Sequence, residues 1–117
     1  MKKLNFFYIL ITLLLSFKLH SEIKFITGIE DLPIFGSLEV DEDNLIIFDK
    51  ADSRLVTVKL FGTVNLGEVK DYYENILPNF GWKMINKKKY VRDSEILNLE
   101  YETKNKKVYL TVKIKPK

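Results

Sequence analysis

Asn65-Leu66-Gly67-Glu68-Val69-Lys70-Asp71-Tyr72-Tyr73-Glu74-Asn75-Ile76-Leu77-Pro78-Asn79-Phe80-Gly81 is the stretch on which the fold turns. Val69, Tyr72, Tyr73, Ile76, Leu77 and Phe80 recur at intervals of three and four, so they share one face of a helix. Asn65 has the side-chain acceptor that a helix start needs, and Glu68 stands at capping-box spacing, with Asn in place of Ser or Thr. Glu68 and Asp71 favour the positive end of the helix dipole. Pro78 has no amide hydrogen to donate and ends or kinks the helix. Gly81 is suited to the left-handed stop. The spacing predicts that Val69, Tyr73, Ile76 and Leu77 are buried.

On both sides of this helix the apolar period drops to two. Upstream, Leu45 to Phe48 is a short strand, Asp49 to Ser53 a polar turn, and Arg54 to Val64 a strand with Val56, Val58, Leu60 and Val64 on one face. The two should form a hairpin. Downstream, Trp82 to Asn86 is a strand, followed by Lys87-Lys88-Lys89 at or near a turn. Tyr90 to Arg92 comes next and breaks at Asp93-Ser94. Then Glu95 to Glu102 presents Leu97, Leu99 and Tyr101, and Val108 to Lys115 presents Val108, Leu110, Val112 and Ile114. This alternation marks an antiparallel sheet with one covered and one wet face. The order ββα followed by strands predicts an α+β fold, an antiparallel sheet of about five strands with one helix on one face. In the last hairpin, Leu99 opposite Leu110 keeps both apolar sets on one face and leaves residues 103–106 as a four-residue loop.

Residues 22–43 read as an extended segment, with Gly28, Pro33 and Gly36 breaking any period. Its apolar residues should lie against the domain of residues 44–117. Residues 1–21 read as a signal peptide: Lys2 and Lys3 precede an apolar run from Leu4 to Phe17, 14 residues long, and Ser21 precedes the cut. A bilayer-spanning helix needs about 20 apolar residues. The alternative is an uncleaved membrane anchor. Removing residues 1–21 takes away Lys2, Lys3 and Lys18, and the formal charge falls from +3 to 0. The basic balance of the chain is therefore no argument for nucleic acid. Residues 22–79 hold 5 basic and 12 acidic side chains, residues 80–117 hold 11 and 4. Either the two halves lie side by side, or a basic surface faces an acidic partner.

The absence of cysteine excludes disulfides and thiolate chemistry, and the single histidine, His20, lies in the segment expected to be removed. No phosphate loop or dinucleotide fingerprint is present. No cofactor is implied, and the chain reads as a non-enzyme. The densest carboxylate cluster, Asp41, Glu42 and Asp43, is the candidate for the alternative reading, a small carboxylate-dependent hydrolase.

Phe25-x-x-Gly28-Ile29-Glu30-Asp31-Leu32-Pro33-Ile34 resembles the opening of a family of small exported proteobacterial envelope proteins of unassigned function. Tyr72-Tyr73, Leu77-Pro78 and Gly81-Trp82 are similar to the helix-to-strand corner of that family. Members often carry Pro-Gly just after the first motif, where this chain has Gly36-Ser37. The resemblance implies an envelope protein and brings no activity, cofactor or catalytic residue.

The expected function is that of a non-catalytic periplasmic or secreted accessory module. The candidate contacts are an apolar patch at Ile34 and Phe35 and a basic turn at Lys87, Lys88, Lys89 and Tyr90. The expected partner is an envelope protein or an anionic envelope lipid or polymer, bound through the lysine turns. Membrane contact beyond that requires the leader to be retained.

Overall fold

The computed structural model describes residues 23–50 and 53–117. The expected signal segment lies outside the described residues. The fold is α+β, with one α-helix among the described residues and antiparallel strand pairing throughout.

The helix, α1, spans Leu66–Ile76. Asn65 caps it, its side-chain oxygen accepting from the Glu68 amide at 3.0 Å. Leu77–Phe80 continues as a 3-10 turn with Pro78 in its first positions, and Gly81 closes it at φ 87°. The Trp82 amide then donates to the Leu77 carbonyl at 3.2 Å, so the chain leaves the helix at a fixed angle. Val69, Tyr73 and Leu77 are fully buried, while Ile76 sits half-buried at the margin of the core.

The main sheet has seven strands where about five were expected, because Glu39–Val40 of the entry segment adds an edge strand and residues 83–92 form two short strands. The seven are β3 (Glu39–Val40), β4 (Ile46–Lys50), β5 (Ser53–Gly62), β6 (Lys83–Asn86), β7 (Lys89–Arg92), β8 (Glu95–Lys104) and β9 (Lys107–Pro116). The order is β3-β5-β9-β8-β7-β6, with β4 beside β5 on the same side as β3. Opposed residues share a face, so the covered face can be followed across the strands. Ile47, Val56, Ile114, Leu97, Tyr90 and Met84 form one such row. Val58, Val112 and Leu99 form the next, and Leu60, Leu110 and Tyr101 the third. The centre of each row is buried.

The segment over 22–43 is more regular than its glycines suggested. It contains a two-stranded hairpin, β1 (Phe25–Ile26) with β2 (Ile29–Pro33), and the edge strand β3. Ile26, Ile29, Leu32 and Leu38 are buried in the common core. The hairpin lies with α1 over the covered face. Gly28 turns at φ 86°, and a Cβ there would stand 2.7 Å from Ile47 Cδ1. The positive φ favours glycine, and an added Cβ would also displace the end of the Ile47 side chain.

The last hairpin differs from expectation by two residues. Leu99 faces Val112, Leu97 faces Ile114, and Tyr101 faces Leu110. The apolar faces are as expected, because a slip of two preserves the side-chain alternation. The turn decides the rest. Asn105 and Lys106 both take positive φ, 52° and 64°, in a two-residue turn instead of a four-residue loop. Such a turn matches the twist of the strands it joins, and asparagine tolerates its conformation.

The acidic and basic halves interleave, since β5 of the first lies beside β9 of the second. Two ion pairs join the halves at one end of the sheet. Arg54 donates twice to Glu95, at 2.7 and 3.1 Å. Arg92 donates to Asp31 at 2.6 Å and to the Phe80 carbonyl at 2.8 Å, with its guanidinium 4.2 Å from the Trp82 ring.

Candidate contact surface

β4 and β6, at opposite edges, are the two strands of the sheet whose residues are all exposed. In β4, Ile46, Ile47 and Phe48 keep 55%, 48% and 55% of their surface open. Ile46 opposes Thr57 and Phe48 opposes Leu55 on the open face, where Leu55 is itself 44% exposed. Ile47 lies at the end of the core row, touched by the Gly28 turn. Among the described residues β4 pairs only with β5, so its outer main-chain groups face away from the sheet. Edge strands are ordinarily blunted by lysine, proline or a bulge. Ile46-Ile47-Phe48 itself contains none of these, although Asp49 and Lys50 end the strand and Lys50 Nζ lies 5.3 Å from the Phe48 ring centre, and β4 pairs with β5 in unbroken register from Ile46 to Lys50.

The opposite edge, β6, is built differently. Met84 and Ile85 are exposed, but Lys83, Lys87 and Lys88 flank them, and the pairing with β7 slips between Met84 and Asn86. Asn86 shapes the following turn by accepting from the Lys88 amide at 2.8 Å. The lysines and the slip are the ordinary protections of an edge.

The residues proposed from sequence fall in three environments. Lys87 and Lys88 are exposed at the β6–β7 turn, and Lys89 is half-buried. Tyr90 is removed from that surface. It is completely buried, because the alternation that puts Leu97 in the core also places its opposite partner there. Its hydroxyl has no hydrogen-bond partner among the described residues, and burial, reinforced by Glu74, pushes its pKa up. Lys87 and Lys88 instead border a cleft of about 230 Å³ with Lys70, Asp71, Glu74 and Tyr101. Both signs of charge line it, and Lys70 Nζ lies 5.5 Å from the Tyr101 ring centre.

Ile34 and Phe35 are half-buried against the core. Tyr73 holds this loop in place. Its hydroxyl accepts from the Phe35 amide at 3.1 Å and donates to the Pro33 carbonyl at 2.9 Å. The Phe35 ring lies 5.2 Å from that of Tyr72, which meets Tyr73 edge-on at 5.0 Å. The apolar patch expected at Ile34 and Phe35 is therefore partly covered, and a more open one lies on β4.

Asp41, Glu42 and Asp43 form a 3-10 turn, Glu42–Asn44, capped by Asp41. The Asp41 carboxylate accepts from the Asp43 amide at 3.2 Å and the Asn44 side chain at 2.6 Å. That carboxylate is engaged by its own turn. Among the described residues, no group of three His, Cys, Asp or Glu is placed to hold a metal ion, and no helix is long and apolar enough to cross a membrane.

Sequence reading missed β4 as a surface because Leu45-Ile46-Ile47-Phe48 is a continuous apolar run, the pattern of a buried strand. The available signal was local. An acidic turn precedes the run and Asp49-Lys50 ends it, so the strand is too short to be covered on both sides. Comparison with known proteins found no matching family model, no matching curated protein and no matching solved structure.

Proposed function

We propose that this chain is an exported, non-catalytic module that acts by contact, and that the contact is made at the β4 edge of the sheet. The observation that carries this reading is the apolar run Ile46-Ile47-Phe48 on an edge strand, half exposed along its length and backed by Leu55. A free edge offers main-chain hydrogen bonds to an incoming strand, and the alternating side chains set its register. The leader-like segment at residues 1–21 and the resemblance to small envelope proteins support export to the periplasm or beyond.

In-cell crosslinking of the tagged chain tests the reading. The wild-type chain should give discrete crosslinked species, and the double substitution Ile46→Lys, Phe48→Lys should abolish them. Identical species from both would sink the assignment of the contact to β4. Intact mass of the recovered protein tests export, since a chain beginning near Glu22 is expected and one retaining Met1 would be a membrane-anchored form.

A further inference from the structure

We infer that the strand received by β4 is β6 of a second copy of this chain, so that copies associate head to tail through opposite edges of their sheets. This rests on the β4 reading above and names its occupant. Geometry supplies the first argument. Across the sheet the strands run β4, β5, β9, β8, β7, β6, each antiparallel to the next. First and last therefore point in opposite directions, and a second copy placed beside the first in the same orientation meets it as an antiparallel pair. The faces also match. Ile47 and Met84 are the two ends of one core row, and both are about half exposed, at 48% and 46%. Setting Met84 opposite the neighbour's Ile47 continues that row from copy to copy.

Charge supplies the second argument. The β3–β4 edge, residues 39–50, carries five carboxylates and one lysine, whereas residues 83–89 carry four lysines and no carboxylate. The register that joins Met84 to Ile47 brings the Lys87–Lys88 turn to the acidic turn at Asp41, Glu42 and Asp43. Pairing β4 with a second β4 would instead set two edges of the same net negative charge side by side, and like charges oppose association. The lysines of β6 thus have a selective role. They repel a second β6 edge and favour the acidic one. A head-to-tail contact of this kind closes into rings or continues as open chains, according to the rotation between copies.

Two blocked forms of the purified chain test this. One carries Ile46→Lys and Phe48→Lys on β4, the other Met84→Lys and Ile85→Lys on β6. All four side chains are about half exposed, so neither change reaches the core. By sedimentation velocity, the wild-type chain should form concentration-dependent oligomers, and each blocked form alone should be monomeric. An equimolar mixture should give a 1:1 dimer and nothing larger, through the one intact edge of each. Recovery of that dimer also shows that both variants are folded. Lys87→Glu with Lys88→Glu should weaken wild-type association roughly tenfold, and added salt should weaken it too. A β6-blocked form that dimerises alone would mean that β4 pairs with β4, overturning the inference. A wild-type chain that stays monomeric at all concentrations, while β4-dependent crosslinks persist in cells, would overturn the inference and leave the contact reading standing. In-cell crosslinks that survive the β4 substitutions would remove both.

Discussion

Tyr73 shows how much one side chain can hold. Its ring fills the core beneath α1, and its hydroxyl satisfies one donor and one acceptor of the Pro33–Phe35 loop. Tyr73→Phe keeps the ring and leaves the Phe35 amide and Pro33 carbonyl without that partner, which should cost about 1–3 kcal/mol. Chemical denaturation measures the loss, and faster hydrogen exchange at the Phe35 amide would localise it. Gly28→Ala should also destabilise, by at least ~1 kcal/mol, because the turn needs positive φ and the new methyl meets Ile47. A neutral Gly28→Ala would mean that the turn does not hold its positive φ.

At the scale of the element, α1 was legible almost completely. Cap, apolar stripe and glycine stop are all local features, and each falls where the spacing predicts. Only the degree of burial of Ile76 departs, since it lies on the flank of the stripe. Leu77→Ala should therefore cost on the order of 2–5 kcal/mol. Ile76→Ala should cost less, and Lys70→Ala, on an exposed position, within about 0.5 kcal/mol. Equal losses for Leu77 and Lys70 would refute the buried face. The β8–β9 turn offers the opposite case. Lys106 holds a left-handed conformation that glycine adopts without strain, so Lys106→Gly should raise stability by several tenths to about 1 kcal/mol. Thermal unfolding of the two forms decides it, and a lower midpoint for Lys106→Gly would argue for a longer loop.

At the scale of the molecule, the hairpin, helix and sheet are tied together by tyrosines and arginines. Burial raises the phenol pKa of both Tyr73 and Tyr101 in the folded state. An unfolded chain releases these protons at pH ~10, while the folded chain retains them. Their contribution to stability is therefore whole below pH ~10 and is lost as pH rises through the raised folded-state values. Alkaline unfolding followed by circular dichroism should begin in that range, with a shallower decline for Tyr73→Phe. A stability flat through the phenol range would count against buried, neutral tyrosines. Arg92 joins β7 to the β1–β2 hairpin through Asp31, and to the helix end through the Phe80 carbonyl and Trp82. Arg92→Lys should destabilise measurably, because an ammonium cannot stack on the ring and reach both acceptors. Lys113→Ala, which removes an exposed pair with Glu100 at 3.4 Å, should change stability by no more than about 1 kcal/mol.

The sequence by itself determined what depends on neighbours along the chain. The helix and its ends, the alternation of each long strand and the shared face of β8 and β9 follow from spacing and from residues that cap, turn or cannot donate. It also removed thiol and disulfide chemistry, since a chain without cysteine has neither. Tertiary structure decided what depends on distant partners. A slip of two residues leaves every face unchanged, so apolar alternation could not choose between Leu99–Leu110 and Leu99–Val112. Strand order placed Ile46-Ile47-Phe48 at an edge and Tyr90 in a core row between Leu97 and Met84, although the first reads only as a short strand and the second as part of a basic turn. Burial is a property of the finished sheet, set by which strands lie on either side, and local pattern does not carry that information.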